Sequence, residues 1–195
     1  MTSHSPLLPD TITKRDALLI IDMQNDFMPG GALPVSGGPA CLPAINHLTQ
    51  YGFRAVIASQ DWHPAQHCSF KEQGGSWPIH CLAGSFGAAL VDGLDQQNIT
   101  HIIRKGTALE ADSNSAFYDD HGTNTGLTAL LCGLGIKRVF LCGVALDVCV
   151  LATARHAARD GFETYILQQA SAGIGALPTS LHEENLILYR GNIGA

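Results

Sequence analysis

The stretch RVFLCGVALDVCVLATARHAARDG, residues 138–161, joins an apolar run to a glycine turn and then to a helical pattern. Its first five residues have the length and character of a buried strand, and residues 147–160 place apolar side chains at helical spacing. Cys149 therefore lies just inside a predicted helix start, where unpaired N–H groups and the helix dipole favour a thiolate. A free cysteine is also a common core residue, so position alone leaves a reactive and a structural role open.

The same strand-to-helix alternation continues along the chain in both directions. Strands are predicted at 17–21, 54–58, 101–103, 138–142, 163–167 and 186–189, and helices at 39–51, 124–134, 147–160 and 178–186. Such alternation predicts an α/β protein with a mostly parallel central sheet and helices on both faces. A length of 195 residues fits one domain spanning residues 1–195.

The composition and net charge of the chain limit the classes of molecule that it is expected to bind. A formal net charge of −6 argues against nucleic acid and anionic membranes as binding partners. No apolar stretch reaches the length of a membrane helix, and the first sixteen residues lack the pattern of a secretory signal. We therefore expect a cytoplasmic protein whose six cysteines are reduced.

Two irregular stretches, residues 24–38 and 61–85, are rich in glycine, proline, tryptophan and histidine. Loops of this length inside a compact domain are usually functional, although a plain surface excursion remains an alternative. The second stretch is where we expect a metal site.

Polar residues follow four of the predicted strands. They are Asp22, Asp61, Lys105 and Cys149. In an open α/β sheet these positions meet at the carboxyl edge of the strands, which is where such folds bind ligands. A carboxylate at Asp22 could take the thiol proton, and an ammonium at Lys105 would favour both anions. Taken singly, Asp22 could instead be a turn residue and Lys105 a solvated strand-end charge.

The segment DWHPAQH predicts part of a metal site. Pro64 disfavours a helical conformation at His63, so the chain should be extended and should place Asp61 and His63 on the same side. His80 would complete an Asp-His-His set, which suits Zn, Fe or Mn and leaves positions open for water or a ligand. For His67 we favour a hydrogen bond to a ligand carboxylate over direct ligation.

Several segments together resemble the nicotinamidases among the isochorismatase-like cysteine hydrolases. The segments are LLIIDMQNDFMPGGALPV at 18–35, VIASQDWHPAQHCSF at 56–70, WPIHC at 77–81, IIRKG with DSNSAF at 102–117, and FLCGVALDVCV at 140–150. The resemblance implies a Rossmann-like three-layer α/β fold. It also implies hydrolysis of the linear amide of nicotinamide to nicotinate and ammonia through a thioester, a role in NAD salvage, and activity on pyrazinamide as a further option.

The resemblance also implies roles for individual residues. Asp22 corresponds to the acid/base, Lys105 to its charged partner and Cys149 to the nucleophile. The ligands of one divalent metal ion correspond to Asp61, His63 and His80, with zinc the first choice and iron or manganese the alternatives. His67 matches a position that joins the metal shell in some members.

The implied substrate pocket has aromatic walls at Phe27 and Trp77. The family pattern also implies a cis peptide between Val144 and Ala145, which would turn backbone N–H groups toward the oxyanion of the reaction. The metal ion would hold the pyridine nitrogen of the substrate, directly or through water.

Three positions depart from the family pattern, namely Leu146, Val148 and Asn114, and we expect the last two to border the pocket. One alternative function is hydrolysis of another small amide or ureido compound by the same superfamily chemistry. Two others are a thiol redox sensor based on Cys149 and a metal-binding or scaffold protein without catalysis. Beyond a small-molecule substrate, the remaining partner expected is a second copy of the chain.

Overall fold

A parallel six-stranded sheet forms the centre of the protein. The computed structural model describes Leu8, residues 12–178 and residues 181–191, without the side chains of 182 and 183. The strands are β1 Asp16–Ile21, β2 Ala55–Asp61, β3 His101–Lys105, β4 Arg138–Val144, β5 Glu163–Ala172 and β6 Leu186–Tyr189. They lie in the sheet in the order β3-β2-β1-β4-β5-β6. Each neighbouring pair is parallel.

The central strands are apolar on both sides because both faces of the sheet are covered. Every residue of β1 and β2 is buried. Along β1, Leu18 and Ile20 point into one core, whereas Ala17, Leu19 and Ile21 point into the other. This arrangement confirms the predicted α/β architecture of three layers.

Helices cover the two faces unequally. The first helix, α1 Gly38–Leu48, packs on one face through Ile45 and Leu48. The other face carries α2 Leu127–Gly133 and α3 Leu151–Arg159, with Leu131 and Ala154 in its core.

The strand order reverses direction between β1 and β4, and there the two strands approach closely. A Cβ atom added at Gly143 would lie 2.1 Å from the carbonyl oxygen of Ile21. Gly143 also has a φ of 113°, which L side chains rarely adopt. Glycine therefore lets the chain turn out of β4 beside β1, at the crevice where α/β sheets bind ligands.

Helix boundaries differ from the predicted ones in two informative places. The predicted helix 147–160 is an α-helix only from Leu151, because residues Leu146–Val150 form a wider π-helical turn. The predicted helix 178–186 is wrong: a 3-10 turn, Leu181–Glu184, precedes β6, and residues 179–180 lie outside the described chain. The segment is too short for an α-helix because β6 begins at Leu186.

The long stretch 61–85 is irregular, as expected. It contains one 3-10 turn, Lys71–Gln73, and isolated bridges join His63 to Leu82 and Phe70 to Trp77. Within the described residues, no helix has the length and apolar character needed to span a membrane. The prediction about a secretory signal falls largely on residues 1–7 and 9–11, which lie outside the described chain.

Candidate active site

The site is built from the carboxyl ends of four adjacent strands. Asp22 directly follows β1, Asp61 ends β2, Lys105 ends β3, and Cys149 lies in the π-helical turn that follows β4. All four side chains are buried. The structure therefore brings together the four polar residues that the sequence placed at strand ends.

Lys105 is the centre of this group. Its Nζ donates hydrogen bonds to Asp61 Oδ1 at 2.6 Å and to the Ser113 carbonyl at 2.9 Å. It also lies 3.0 Å from Asp22 Oδ2 and 3.6 Å from Cys149 Sγ. Burial alone would lower the pKa of Lys105, but the two carboxylates outweigh it and raise that pKa well above its ordinary value. The side chain is therefore an ammonium ion.

Asp22 is held in place by Ser59 and by the turn after β1. Its Oδ1 accepts a hydrogen bond from Ser59 Oγ at 2.6 Å, and its backbone adopts a left-handed conformation with φ of 50°. No donor among the described residues makes a well-oriented hydrogen bond to Oδ2. Burial raises the pKa of the Asp22 carboxyl, although Lys105 opposes that shift. A carboxyl with a raised pKa and a free lone pair is suited to proton transfer.

The electrostatics of Cys149 differ from the expectation of a thiolate at a helix start. Burial raises the pKa of the Cys149 thiol well above its ordinary value, and the Lys105 ammonium only partly offsets this effect. Desolvation is the largest effect because Cys149 is buried, with 8% of the residue exposed. The resting group is a thiol, so its chemistry requires a base. Asp22 is within reach, because a carboxylate oxygen and Sγ lie within 4.8 Å.

Asp61, His63 and His80 form a group that fits a metal ion. The Asp61 Oδ2 atom lies 3.7 Å from His63 Nε2 and 3.9 Å from His80 Nε2. Two ligands of one zinc ion at tetrahedral geometry are separated by about 3.4 Å, so a small adjustment would suffice. Each histidine contacts a backbone carbonyl through Nδ1, His63 that of Gly106 at 2.9 Å and His80 that of Pro78 at 2.8 Å.

These carbonyl contacts fix the Nδ1–H tautomer of both rings and direct the Nε2 lone pairs toward the gap. Burial lowers the pKa of His80, whereas contact with Asp61 outweighs burial and raises that of His63. Lys105 and His63 hold the pKa of Asp61 well below its usual range, despite the opposite effect of burial. A neutral histidine at 80 and an ionised Asp61 are the protonation states of metal ligands.

His67 packs against His63, one member of this group. Its ring stacks on that of His63 with centroids 4.1 Å apart and an interplanar angle of 25°. Its Nδ1 lies 2.7 Å from Ser69 Oγ and its Nε2 lies 3.1 Å from the Ala111 carbonyl. The expected hydrogen bond to a ligand carboxylate is not made, because both ring nitrogens have other partners. His67 does form a second set within 4.8 Å together with His63 and Asp112.

One pocket connects the cysteine to the candidate metal group. Its lining includes Cys149 and Ala145 together with Asp61, His63 and His80. Phe27 and Trp77, the expected aromatic walls, also line it, and Phe27 meets His80 edge-on with centroids 5.8 Å apart. The rest of the lining is formed by Leu33, Pro34, Val35, Asp112, Ser113, Asn114, Val148 and Ile174. A largely apolar pocket with a few polar groups is typical of a small-molecule site.

Residues near the end of β4 divide between the pocket and the interior. The Val144–Ala145 peptide is cis, as expected. Ala145 lines the pocket, but the Val144 side chain is fully buried in the core and does not. Val148 and Asn114 border the pocket as expected, whereas Leu146 lies against a separate surface cavity.

Sequence reasoning missed residues that support the site from elsewhere. Gln24 Nε2 donates to the Asp61 carbonyl, and Gln24 Oε1 accepts from the Asp61 N–H. Asp26 Oδ2 accepts a hydrogen bond from the Cys81 N–H at 2.7 Å, which ties the loop after β1 to the loop that carries His80. Ser59, which donates a hydrogen bond to Asp22, was also missed. The sequence offered one indication of its place in the site: it lies two residues before Asp61 on a strand, so both side chains point to the same face of the sheet.

The fold and site define an α/β protein with a buried cysteine, lysine and aspartate beside an Asp-His-His group. Residues 16–191 match the family model described as the isochorismatase domain. The chain belongs to this family, which confirms the resemblance seen in the sequence.

Individual relatives cover most of the chain. The nicotinamidase of Acinetobacter baylyi is 37% identical over 175 residues, with 81% of each chain covered. The solved structure of PnC1 from L. infantum in complex with nicotinate is 45% identical with a TM-score of 0.91, covering 93% of this chain and 96% of that one. The pyrazinamidase of Pyrococcus horikoshii in complex with zinc is 39% identical with a TM-score of 0.80, covering 90% and 98%.

Proposed function

We propose that this chain is a metal-containing nicotinamidase that hydrolyses nicotinamide to nicotinate and ammonia. The observation that carries the proposal is a single pocket lined by both Cys149 and the Asp61, His63 and His80 group. A nucleophile and a group that could hold a heteroatom-binding metal in one pocket suit an amide attached to a nitrogen heterocycle. The names of the relatives, which include enzymes for nicotinamide and pyrazinamide, support the same substrate class.

Catalysis begins with transfer of the Cys149 proton to Asp22. The thiolate then attacks the amide carbon, and the Lys105 ammonium, 3.6 Å from Sγ, stabilises the negative charge on sulfur. Backbone N–H groups at Ala145 and Cys149 are the candidates to receive the developing oxyanion. The rings of Phe27 and Trp77 hold the heterocycle in place, which orients the carboxamide over Sγ.

The tetrahedral intermediate collapses by breaking its C–N bond. Asp22 returns its proton to the departing nitrogen, so that ammonia leaves and a thioester on Cys149 remains. Asp22 then takes a proton from water, and the resulting hydroxide attacks the thioester. When the C–S bond breaks, the proton returns to sulfur and nicotinate is released. One carboxyl group thus acts in both halves of the reaction.

A divalent metal ion at Asp61, His63 and His80 would supply a Lewis acid that fixes the pyridine nitrogen, directly or through bound water. Zinc is our first choice because the ligands are one carboxylate and two imidazoles, and iron or manganese are the alternatives. His67 would keep the His63 ring in position through their stacking contact.

In the cell we propose a role in NAD salvage by a cytoplasmic enzyme without nucleic-acid or membrane partners. Pyrazinamide, which differs from nicotinamide by one ring nitrogen, is a second proposed substrate. Self-association is a further prediction, which light scattering during size-exclusion chromatography would measure.

The test is ammonia release from nicotinamide, pyrazinamide and benzamide by the metal-loaded protein. We expect turnover of the first two and much weaker turnover of benzamide, because benzamide lacks the ring nitrogen. Equal kcat/KM for benzamide would contradict the role of the metal and would favour a general small-amide hydrolase. No ammonia from either heterocyclic amide would overturn the proposed function.

A further inference from the structure

A short strap after β5 borders the substrate pocket. It consists of residues 173–175, and its central side chain, Ile174, lines the pocket although it is 58% exposed. An isoleucine left in solvent at a pocket mouth offers apolar surface that a bound ring would cover.

Asp147 holds this strap. Its Oδ1 accepts a hydrogen bond from the Ile174 backbone N–H at 2.9 Å, and Asp147 belongs to the same π-helical turn as Cys149. The strap fits closely over the carboxylate: a Cβ atom added at Gly173 would lie 2.6 Å from Oδ1, and one at Gly175 would lie 2.8 Å from Oδ2. Larger residues on either side of Ile174 would therefore push the strap away from Asp147.

We propose that Ile174, held by Asp147, is the outer apolar wall of the pocket and restricts which ring-substituted pyridine carboxamides can bind. This inference rests on the proposed function. The candidate metal group and Cys149 account for the ring nitrogen and the carboxamide of the substrate. The remaining ring edge then faces the apolar rim, to which Ile174 contributes together with Leu33 and Val148. Ile174 is a specificity-determining residue, and Asp147 is a positioning residue that acts through it.

The first experiment compares parent, Ile174→Ala and Ile174→Val on nicotinamide and on a set of ring-methylated nicotinamides. We expect Ile174→Ala to raise KM for nicotinamide about 3- to 20-fold with kcat within about twofold, since one apolar contact is lost. Its preference for nicotinamide over at least one methylated substrate should fall by about tenfold. Ile174→Val should raise KM less than Ile174→Ala does, because it removes less apolar surface. The control Ile187→Ala, at an exposed position of β6, should stay close to the parent.

The second experiment tests whether the hydrogen bond from the Ile174 N–H to Asp147 positions Ile174. Asp147→Ala should raise KM as Ile174→Ala does, whereas Asp147→Asn, which keeps an acceptor for the Ile174 N–H, should restore most of the parent value. In the double variant Asp147→Ala with Ile174→Ala, the KM effects should not add, because both act on the same wall.

The outcomes separate the two proposals. Nicotinamide turnover by the parent combined with unchanged KM and unchanged substrate preference in Ile174→Ala would overturn the inference and leave the proposed function intact. Fully additive effects of Asp147→Ala and Ile174→Ala would overturn the positioning role. A metal-loaded parent without nicotinamide turnover would overturn the proposed function and the inference with it.

Discussion

At the scale of single residues, Cys149 owes its chemistry to its neighbours. Burial favours the protonated thiol, and Asp22 and Lys105 place a carboxyl group and a positive charge close to it. A position at a helix start does not by itself make this sulfur a thiolate, because burial raises the pKa of the Cys149 thiol. We therefore expect the reactivity of Cys149 to depend on residues from two other strands, β1 and β3.

We expect Cys149→Ala to lower kcat for nicotinamide by at least about a thousandfold, because the covalent route is removed. Folding and metal content should be preserved, since the metal group does not include sulfur. Ammonia release and metal analysis of the purified variant measure both. The matched control is Cys132→Ala, at an exposed position on α2. Near-parent turnover by the Cys149 variant would show that the nucleophile lies elsewhere.

Besides its proposed catalytic role, Lys105 balances the charge of two buried carboxylates. The third group of possible metal ligands, Asp22, Asp61 and Cys149, surrounds the Lys105 ammonium, so a cation already occupies that position. Replacement by methionine would keep the volume and remove the charge. We expect Lys105→Met to lose activity and to destabilise the protein by about 3–5 kcal/mol, because two buried carboxylates lose their partner.

Urea unfolding measures that loss, with Lys137→Met at an exposed position as control. Adding Asp22→Asn to Lys105→Met should recover part of the stability but none of the activity, since one buried charge is removed together with the base. A double variant as unstable as Lys105→Met alone would argue against charge repulsion as the cause.

At the scale of elements, the start of β1 is joined to the start of β4 by an ion pair between buried Asp16 and partly exposed Arg138. Arg138 donates to both carboxylate oxygens of Asp16, at 2.7 Å each, and the Thr13 N–H donates to Oδ2 at 2.6 Å. Burial would raise the pKa of Asp16, but these hydrogen bonds outweigh it and hold the pKa below its usual value. The pair fixes the amino ends of β1 and β4, the two strands whose carboxyl ends flank the candidate active site.

A lowered pKa in the folded state gives stability that is present above the unfolded pKa, about 3.9, and is lost as pH falls through the folded value. We therefore expect the stability difference between the parent and Asp16→Asn to be constant from neutral pH down to about pH 5 and to shrink below about pH 4. Urea unfolding at a series of pH values measures it, with Asp92→Asn at an exposed position as control. A difference that does not change with pH would contradict the argument.

Local patterns predicted the elements well where the chain is periodic and buried. The strands and the first three helices could be read from apolar spacing, because burial on both sheet faces demands it. The π-helical turn at Leu146–Val150 could not, since it depends on how the chain leaves β4 beside β1. The segment 178–186 has helical spacing, but β6 begins within it and limits it to a 3-10 turn.

At the scale of the whole molecule, the strand order decides which residues can meet. Asp22 and Cys149 follow β1 and β4, the neighbouring strands at which the connections reverse, whereas Asp61 and Lys105 follow the next two strands outward. The sequence could place these four residues at strand ends but could not show the contacts of Ile174 or Gln24. Those contacts join positions far apart in the chain and carry no local signal.

The candidate metal group joins the sheet to the irregular stretch 61–85, because Asp61 ends β2 whereas His63 and His80 lie in the loop. An ion bound there should therefore stabilise the folded state of the whole protein and also strengthen substrate binding. At a free concentration of 100 times its Kd, an ion adds about 2.7 kcal/mol, or roughly 5 to 11 °C in Tm for a chain of this size. Removing it with a chelator should lower Tm by that amount and raise KM for nicotinamide more than it lowers kcat.

His80→Ala should reduce metal content and leave Tm insensitive to chelator, whereas His121→Ala, at an exposed position, should behave as the parent. Scanning calorimetry and steady-state kinetics on the same samples, with metal content verified, provide the measurements. Parent protein shown to be metal-free but unchanged in both Tm and KM would exclude Asp61, His63 and His80 as a functional metal site. Cys149 is not one of the three proposed ligands, so chelator should lower the Tm of Cys149→Ala as much as that of the parent. The same series of variants therefore distinguishes the effect of losing the metal from the effect of losing the nucleophile.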